Sequence, residues 1–193
     1  KAFDSDSANA TFFRFFKDDV KTLDITDFRE LDSILEAFEE GKEKVIVDGA
    51  ARSLDSLIEW MKEINLVELC EELDFKLSIV FVMGQDKDSV QILKDYTEEI
   101  GQFADWIIVK NEYLGKNFEV FDNSKIKNKI EKEEFVKILQ IPELYQEPIR
   151  FMDKNNLNFE DAVLSKEMGV ANRQRVKTWY RATSDSLLSS GVL

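Results

Sequence analysis

The sequence predicts an α/β fold: a mostly parallel sheet with helices on both faces, followed by a C-terminal helical extension. Residues 45–47, 77–83 and 106–109 are nearly continuous apolar runs, which are typical of strands buried on both faces. Stretches of helical apolar spacing, about 12 to 15 residues long, separate these runs. Strands that alternate with helices in this way form βαβ units, whose strands are parallel.

The remaining elements follow in chain order. Residues 1–3 are predicted to end a strand, and residues 20–25 to form another. Residues 27–40 have the apolar spacing of an amphipathic helix, which Gly41 ends. The helices after them are predicted at residues 53–73 (with a break near Asn65) and 86–100, a short last strand at 118–121, and further helices at 132–140, 143–152, 158–168 and 172–188.

The chain of 193 residues is predicted to be a single domain. Residues 1–123 form its α/β part and residues 124–193 its helical part. The α/β part carries 14 Lys and Arg against 29 Asp and Glu, and the helical part carries 12 against 10. The acidic charge is therefore concentrated in the α/β part.

The composition excludes several kinds of site. Histidine is absent, which excludes a histidine triad or metal ligand, and Cys70 is the only cysteine, which excludes an internal disulfide. No apolar run approaches the roughly 18 residues of a membrane span, so a cytoplasmic, reducing setting is expected. The net charge of −13 means that any contact with DNA must be local.

Ligands of parallel α/β sheets bind beyond the carboxyl ends of the strands. That rule selects residues 4–11, 48–52, 84–86 and 110–115, all of which are polar or contain glycine. Among them, Asp4, Asp6 and Asp48 could hold Mg²⁺ and orient a water for phosphoanhydride hydrolysis. The alternative is that Asp4 and Asp6 form a turn and Asp48 starts a loop.

Three runs together resemble the ParA/MinD-like P-loop ATPases, in particular the ParA-like group found with plasmid mobilisation, conjugation and partition genes. The run from Phe3 to Thr11, Phe-Asp-Ser-Asp-Ser-Ala-Asn-Ala-Thr, is similar to the switch I segment of that family. Val-Asp-Gly-Ala-Ala-Arg-Ser at 47–53 is similar to the Walker B and switch II segment. Asn-Glu-Tyr-Leu-Gly at 111–115 is similar to the loop that contacts the base, and Gly84-Gln85 also fits the group.

The resemblance implies a three-layer P-loop NTPase fold and a role for each matching residue. Asp6 corresponds to the switch I aspartate that positions Mg²⁺ and the attacking water, and Asp48 to the Walker B aspartate that holds a water of the Mg²⁺ shell. Gly49 would let switch II approach the γ-phosphate, and Asn111 would contact the adenine edge. Asp4 is expected to be structural.

One part of the family pattern does not occur in this sequence. These ATPases cradle the phosphates in a glycine- and lysine-rich loop, whereas no two of the seven glycines here are close in sequence. We expect that loop, with its strand and helix, to precede Lys1. Without it, the chain is expected to be inactive as an ATPase.

The resemblance implies a switch that binds ATP and Mg²⁺, forms a homodimer, and acts on a plasmid transfer or partition protein. The alternative is a nucleotide-independent interaction module on a degenerate P-loop scaffold. A metabolic member of the superfamily, similar to dethiobiotin synthetase, is a third possibility.

The helical part offers a second candidate site. Arg173, Lys177 and Arg181 recur every four residues, which places them on one face of a helix. This basic stripe could contact DNA phosphates or an acidic partner. The alternative is a solvated helix face.

A cluster of phenylalanines lies near the start of the chain. Two or three of those at 12, 13, 15 and 16 are expected in the core.

Overall fold

The computed structural model describes residues 1–6, 9–49 and 54–191. The chain divides into two compact units, Lys1–Leu73 and Asp74–Leu193. The elements described in the first unit are β1 (Ala2–Asp4), α1 (Thr11–Phe15), β2 (Val20–Thr22), α2 (Phe28–Glu39), β3 (Ile46–Asp48), α3 (Leu54–Glu63) and α4 (Leu66–Leu73).

The first unit is built on a parallel sheet of three strands in the order β2-β1-β3. In the central strand, Asp4 lies opposite Thr22 on one side and Asp48 on the other. The unit's buried apolar side chains include Phe3 and Leu31. The predicted strands at 1–3, 20–25 and 45–47 are therefore confirmed, with small shifts at their ends.

Local chemistry sets the helix ends in this unit as predicted. The Asp27 carboxylate accepts a hydrogen bond from the Arg29 backbone N–H at 3.0 Å and caps the start of α2. Gly41, with a φ of +80°, turns the chain out of that helix. Asn65, with a φ of +49°, separates α3 from α4, where the sequence predicted a break.

The second unit also contains a three-stranded parallel sheet, in the order β4-β5-β6. Its central strand, β5, is buried on both faces, as Trp106, Ile107 and Ile108 show. The predicted α/β fold with parallel strands is therefore confirmed, as two small sheets. The elements of this unit are β4 (Leu77–Met83), α5 (Lys87–Glu99), β5 (Ala104–Asn111), α6 (Glu119–Asp122), α7 (Lys125–Ile130), β6 (Val136–Ile141), α8 (Gln146–Asn155), α9 (Phe159–Leu164) and α10 (Val170–Ser189).

Two sequence predictions are wrong in this unit. Residues 118–121 do not form a strand: Phe118 is the N-cap of α6 (Glu119–Asp122), and the helical turn brings buried Phe118 and Phe121, three residues apart, to one side. Residues 132–140 are not a helix, because β6 occupies Val136–Ile141 and pairs with β5. A short apolar run fits either structure, and the available edge of β5 decides between them.

The last three helices form the predicted helical extension and share a core of their own. That core consists of Leu144, Met152, Ala162, Met168 and Val176. Pro148 lies in the first turn of α8, where its missing N–H removes no helical hydrogen bond. No helix in the described part of the chain is long and apolar enough to cross a bilayer.

Candidate functional site

The candidate site of the first unit is the carboxyl end of its sheet, where β1 and β3 end side by side. Asp4 and Asp48 are register partners there, and the chain continues from them into Asp6 and Gly49. Ser5 joins the two strand ends, because its backbone N–H and its Oγ both donate to the Asp48 carbonyl oxygen, at 3.0 and 2.9 Å. The parallel pairing thus brings together the acidic residues that the sequence selected.

Asp4 organises the turn that carries the other carboxylates. Its side chain is 1% exposed and accepts hydrogen bonds from the backbone N–H groups of Asp6 at 2.9 Å and Phe13 at 2.8 Å. The second bond ties the start of α1 to the end of β1. These contacts match the structural role expected of Asp4.

Asp6 lies in the same turn and is half-buried. Its carboxylate accepts from the Asn9 backbone N–H at 3.2 Å and from the Asn9 side-chain amide at 3.0 Å. Asp6 therefore makes the turn contacts that the alternative predicted, and it is near enough to Asp48 for its charge to raise the pKa of that carboxyl. A role in turn formation and a role in water positioning are compatible at this place.

The electrostatics of the site centre on Asp48. Desolvation raises the pKa of its carboxyl group, and the nearby negative charges of Asp4 and Asp6 raise it further. A carboxylate held among like charges gains from a cation beside it. No group of three or more Asp, Glu, His or Cys side chains in the described residues could hold a metal ion alone.

That donor set fits Mg²⁺ bound largely through water. Mg²⁺ is commonly held by one or two carboxylates together with waters and substrate phosphates, rather than by a cage of protein ligands. Asp48 and Asp6 supply such carboxylates. Residues 7–8 of the switch I-like run and residues 50–53 of the Walker B-like run, including Arg52 and Ser53, lie outside the described residues.

Asn111, the predicted base-contacting residue, ends β5 in the second unit. Its Oδ1 accepts a hydrogen bond from the Tyr113 backbone N–H at 3.0 Å, which starts a short 3-10 turn at Glu112–Leu114. Its amide nitrogen has no hydrogen-bond partner among the described residues. An amide N–H group of this kind can donate a hydrogen bond to a purine ring nitrogen.

Two residues shape this loop: Glu112 ties it to β6, and Gly115 packs closely against Gln85. The sequence pattern did not mark Glu112 as a candidate. The Glu112 carboxylate is buried and accepts a hydrogen bond from the Gln140 amide on β6. That bond is the main reason why the pKa of Glu112 is lowered; the Glu143 backbone N–H and Lys116 add to it, against desolvation. Gly115 has a φ of +132°, and the Gln85 amide packs against it so closely that an added Cβ would lie 2.7 Å from Nε2.

The predicted basic stripe of α10 is only partly a surface. The Arg173 guanidinium donates to the carbonyl oxygens of Ser165 at 2.7 Å and Met168 at 3.1 Å, so Arg173 closes the turn between α9 and α10. Lys177 is exposed and makes no hydrogen bond or ion pair within the described residues. Arg181 is 82% exposed and reaches Asp185 only at 3.9 Å.

The phenylalanine cluster differs from the expectation. None of the α1 residues is buried, and the phenylalanines at 12, 13, 15 and 16 are all half-exposed. Phe12 and Phe16 meet edge to face with centroids 5.3 Å apart, and Arg14 lies 4.6 Å from the Phe15 centroid. A helix of five residues is too short to turn all of these rings into one core.

The fold and the site define an α/β protein with a carboxylate-rich strand end. Two curated proteins are similar to the chain over most of its length. MobD of Acidithiobacillus ferrooxidans is 24% identical over 182 residues, which cover 91% of this chain and 77% of MobD. TraL of Escherichia coli is 25% identical over an alignment 208 positions long, which covers 98% of this chain and 85% of TraL. No family model and no solved structure matches the chain.

Proposed function

We propose that this protein is a ParA/MinD-like ATPase that acts as a nucleotide-dependent switch in plasmid mobilisation or conjugation. The pairing of β1 with β3 carries the proposal: it places Asp4 opposite Asp48 at the carboxyl end of a parallel sheet, with Asp6 near enough for its charge to raise the pKa of Asp48. The similarity to MobD and TraL supports a role in plasmid mobilisation or conjugation, because Mob and Tra are the names given to plasmid mobilisation and transfer proteins.

Within this proposal each site residue has one task. Asp48 would help to hold Mg²⁺ through water, and Asp6 would orient the attacking water. Gly49 provides an exposed backbone without a side chain. Mg²⁺ neutralises charge on the phosphates when it is bound. Two copies would pair when ATP is bound and separate after hydrolysis, in the cytoplasm.

The experiment measures ATP binding and Mg²⁺-dependent phosphate release by the native protein. We expect Asp48→Ala and Asp6→Ala to lower the hydrolysis rate about 100-fold or more, since each removes an interaction with the metal-bound phosphates. Asp18→Ala is the matched control, because Asp18 is an exposed carboxylate of the same unit with no hydrogen bond among the described residues. A native protein that does not bind ATP, or an unchanged rate in Asp48→Ala, would contradict the proposal.

A nucleotide-independent interaction module on the same scaffold is the second candidate. The half-exposed phenylalanines of α1 favour it, because such rings are a common contact surface for a partner protein. Capture of a plasmid transfer protein that is equally strong with and without ATP, and that is lost in Phe12→Ser, would favour this candidate over the switch.

A further inference from the structure

The loop at residues 111–115, which follows β5 in the second unit, is flanked by a glutamine from the side of each neighbouring strand. Gln140 lies on β6 and donates from its amide to the Glu112 carboxylate. On the other side, Gln85 follows β4 and turns its amide end towards Gly115. Because β4 and β6 both pair with β5 in parallel, their carboxyl ends bring the two glutamines to the same loop.

Gly115 allows the Gln85 amide to approach the backbone of this loop. A Cβ atom on Gly115 would lie 2.7 Å from Nε2 and 2.8 Å from Oε1 of Gln85, which is too close for non-bonded atoms. Gly115 also has a φ of +132°, a conformation that residues with side chains rarely adopt. Its N–H group donates to the Glu112 carbonyl oxygen at 3.0 Å. The Gln85 amide therefore packs against the residue that closes the loop.

The backbone on both sides of Gln85 is fixed by Ser89, in the first turn of α5. The N–H group of Gly84 donates to Ser89 Oγ at 2.8 Å, and the Asp86 carboxylate accepts from the Ser89 N–H group at 2.8 Å. Both chain neighbours of Gln85 are thus bonded to one helical residue. The Gln85 side chain therefore extends to the loop from a rigid base.

Hydrogen bonding within the chain does not explain the position of the Gln85 amide. Its Nε2 atom is buried and has no hydrogen-bond partner in the part of the chain that the structure describes. An unpaired buried donor costs free energy, and such groups are uncommon in folded proteins. The amide is therefore placed by its packing against Gly115, and this packing has a purpose other than satisfying the amide.

The loop that this packing supports carries the Asn111 amide at its start. Asn111 Oδ1 accepts from the Tyr113 N–H group at 3.0 Å, so the amide nitrogen is the group that Asn111 can offer to a ligand. The direction of that nitrogen depends on the short turn Glu112–Leu114, which Gly115 ends. A shift of Gly115 would therefore be passed to Asn111 through the turn.

We infer that Gln85 is the positioning residue of this loop: through its contact with Gly115 it holds the turn that sets the direction of the Asn111 amide. Gln85 does not itself touch a ligand in this role. The inference rests on the proposed nucleotide binding, because a purine base is the ligand expected at Asn111. Every residue that it involves belongs to the second unit.

The first test follows amide hydrogen exchange in the full chain by nuclear magnetic resonance, without any nucleotide. We expect Gln85→Ala to speed exchange at the N–H groups of Tyr113 and Gly115 about tenfold, because the loop opens locally more often. Exchange at Ile107, in the centre of β5, should stay the same. Unchanged exchange at Tyr113 and Gly115 would overturn the inference.

Two further variants control this experiment. Gln102→Ala should leave the exchange of the loop as it is, because Gln102 is an exposed glutamine elsewhere in the same unit. Gln85→Met should stay close to the unaltered chain, because a side chain of similar length preserves the packing against Gly115. Loop exchange that is as fast in Gln102→Ala as in Gln85→Ala would contradict a specific role for Gln85.

The second test separates positioning of the base contact from a general loss of structure. Titration calorimetry of the native protein compares ATP with tripolyphosphate, which has no base, both with Mg²⁺. We expect Gln85→Ala to weaken ATP binding about tenfold and to leave tripolyphosphate binding unchanged. In an Asn111→Ala background the same substitution should have little further effect, because residues that act through one another are not additive.

The outcomes of the second test distinguish the two proposals. An equal loss of ATP and tripolyphosphate binding in Gln85→Ala, or a full additional loss in the Asn111→Ala background, would overturn the positioning role. Absent ATP binding by the unaltered protein would instead contradict the nucleotide proposal, and the exchange rates of Tyr113 and Gly115 would still decide whether Gln85 holds the loop.

Discussion

Asp4 and Asp48 face each other across β1 and β3, yet they do opposite things to the fold. Asp4 accepts two backbone hydrogen bonds and is 1% exposed. Asp48 is partly removed from solvent and lies near the negative charges of Asp4 and Asp6, and both effects raise the pKa of its carboxyl group. One aspartate stabilises the strand end, and the other makes it receptive to a cation.

We predict that Asp4→Ala lowers the free energy of unfolding by about 3 kcal/mol, because it leaves two backbone N–H groups without their charged acceptor. Asp48→Asn should raise the free energy of unfolding at pH 7, because the substitution removes a negative charge that is less favourable in the folded than in the unfolded chain. Urea unfolding of both variants measures the difference. A lower urea midpoint for Asp48→Asn than for the unaltered chain would show that Asp48 stabilises the fold.

Glu112 makes stability depend on acid. Its pKa is lowered in the folded chain, so its contribution is present above its unfolded pKa, which is about 4.3, and disappears as the pH falls through the lower folded value. We predict that Glu112→Gln is less stable than the unaltered chain at pH 7 and that the two converge towards pH 3. Thermal unfolding between pH 3 and 7 measures this. A constant difference across that range would mean that burial rather than ionisation explains the loss.

At the scale of elements, the turn between α9 and α10 depends on a side chain that the sequence pattern assigned to a surface. Arg173 bonds to two carbonyl oxygens, whereas Lys177 and Arg181 one and two helical turns further on face solvent. Three cations with helical spacing therefore serve two different purposes.

We predict that Arg173→Ala lowers the free energy of unfolding by about 2 to 3 kcal/mol, since each hydrogen bond to a charged group contributes about 1.5 kcal/mol or more. Arg181→Ala should change it by less than about 0.5 kcal/mol, because its ion pair is exposed. Denaturant unfolding followed by far-ultraviolet circular dichroism measures both effects. Equal effects of the two substitutions would contradict the assignment of Arg173 to the turn.

At the scale of the whole molecule, the net charge of −13 opposes compactness. We predict that the melting temperature rises as sodium chloride increases from about 0.02 to 0.3 M, because the Debye length falls from roughly 20 Å to 6 Å and screens the repulsion. Scanning calorimetry at fixed pH measures this. A melting temperature that falls with salt would mean that attractive ion pairs outweigh the repulsion.

Much of the fold could be predicted because its signals are local. The strand at Leu77–Met83 is apolar throughout, and the helix at Phe28–Glu39 has a capping aspartate, a clear apolar spacing and a terminal glycine. The carboxyl ends of such strands selected the segments that contain Asp6, Asp48 and Asn111, and the family resemblance singled out Asn111 within its segment. Local pattern and strand polarity suffice for these conclusions.

The tertiary structure decided what local pattern leaves open. The run Val136–Ile141 is a strand because β5 offers it an edge, and Glu112 is buried because Gln140 on that strand supplies its partner. Arg173 does not contribute to an exposed basic stripe for the same kind of reason: its guanidinium donates to two carbonyl groups in the turn between α9 and α10. The sequence by itself determined the α/β class and the acidic strand end, whereas partners distant along the chain decided which charged side chains hold the fold and which face solvent.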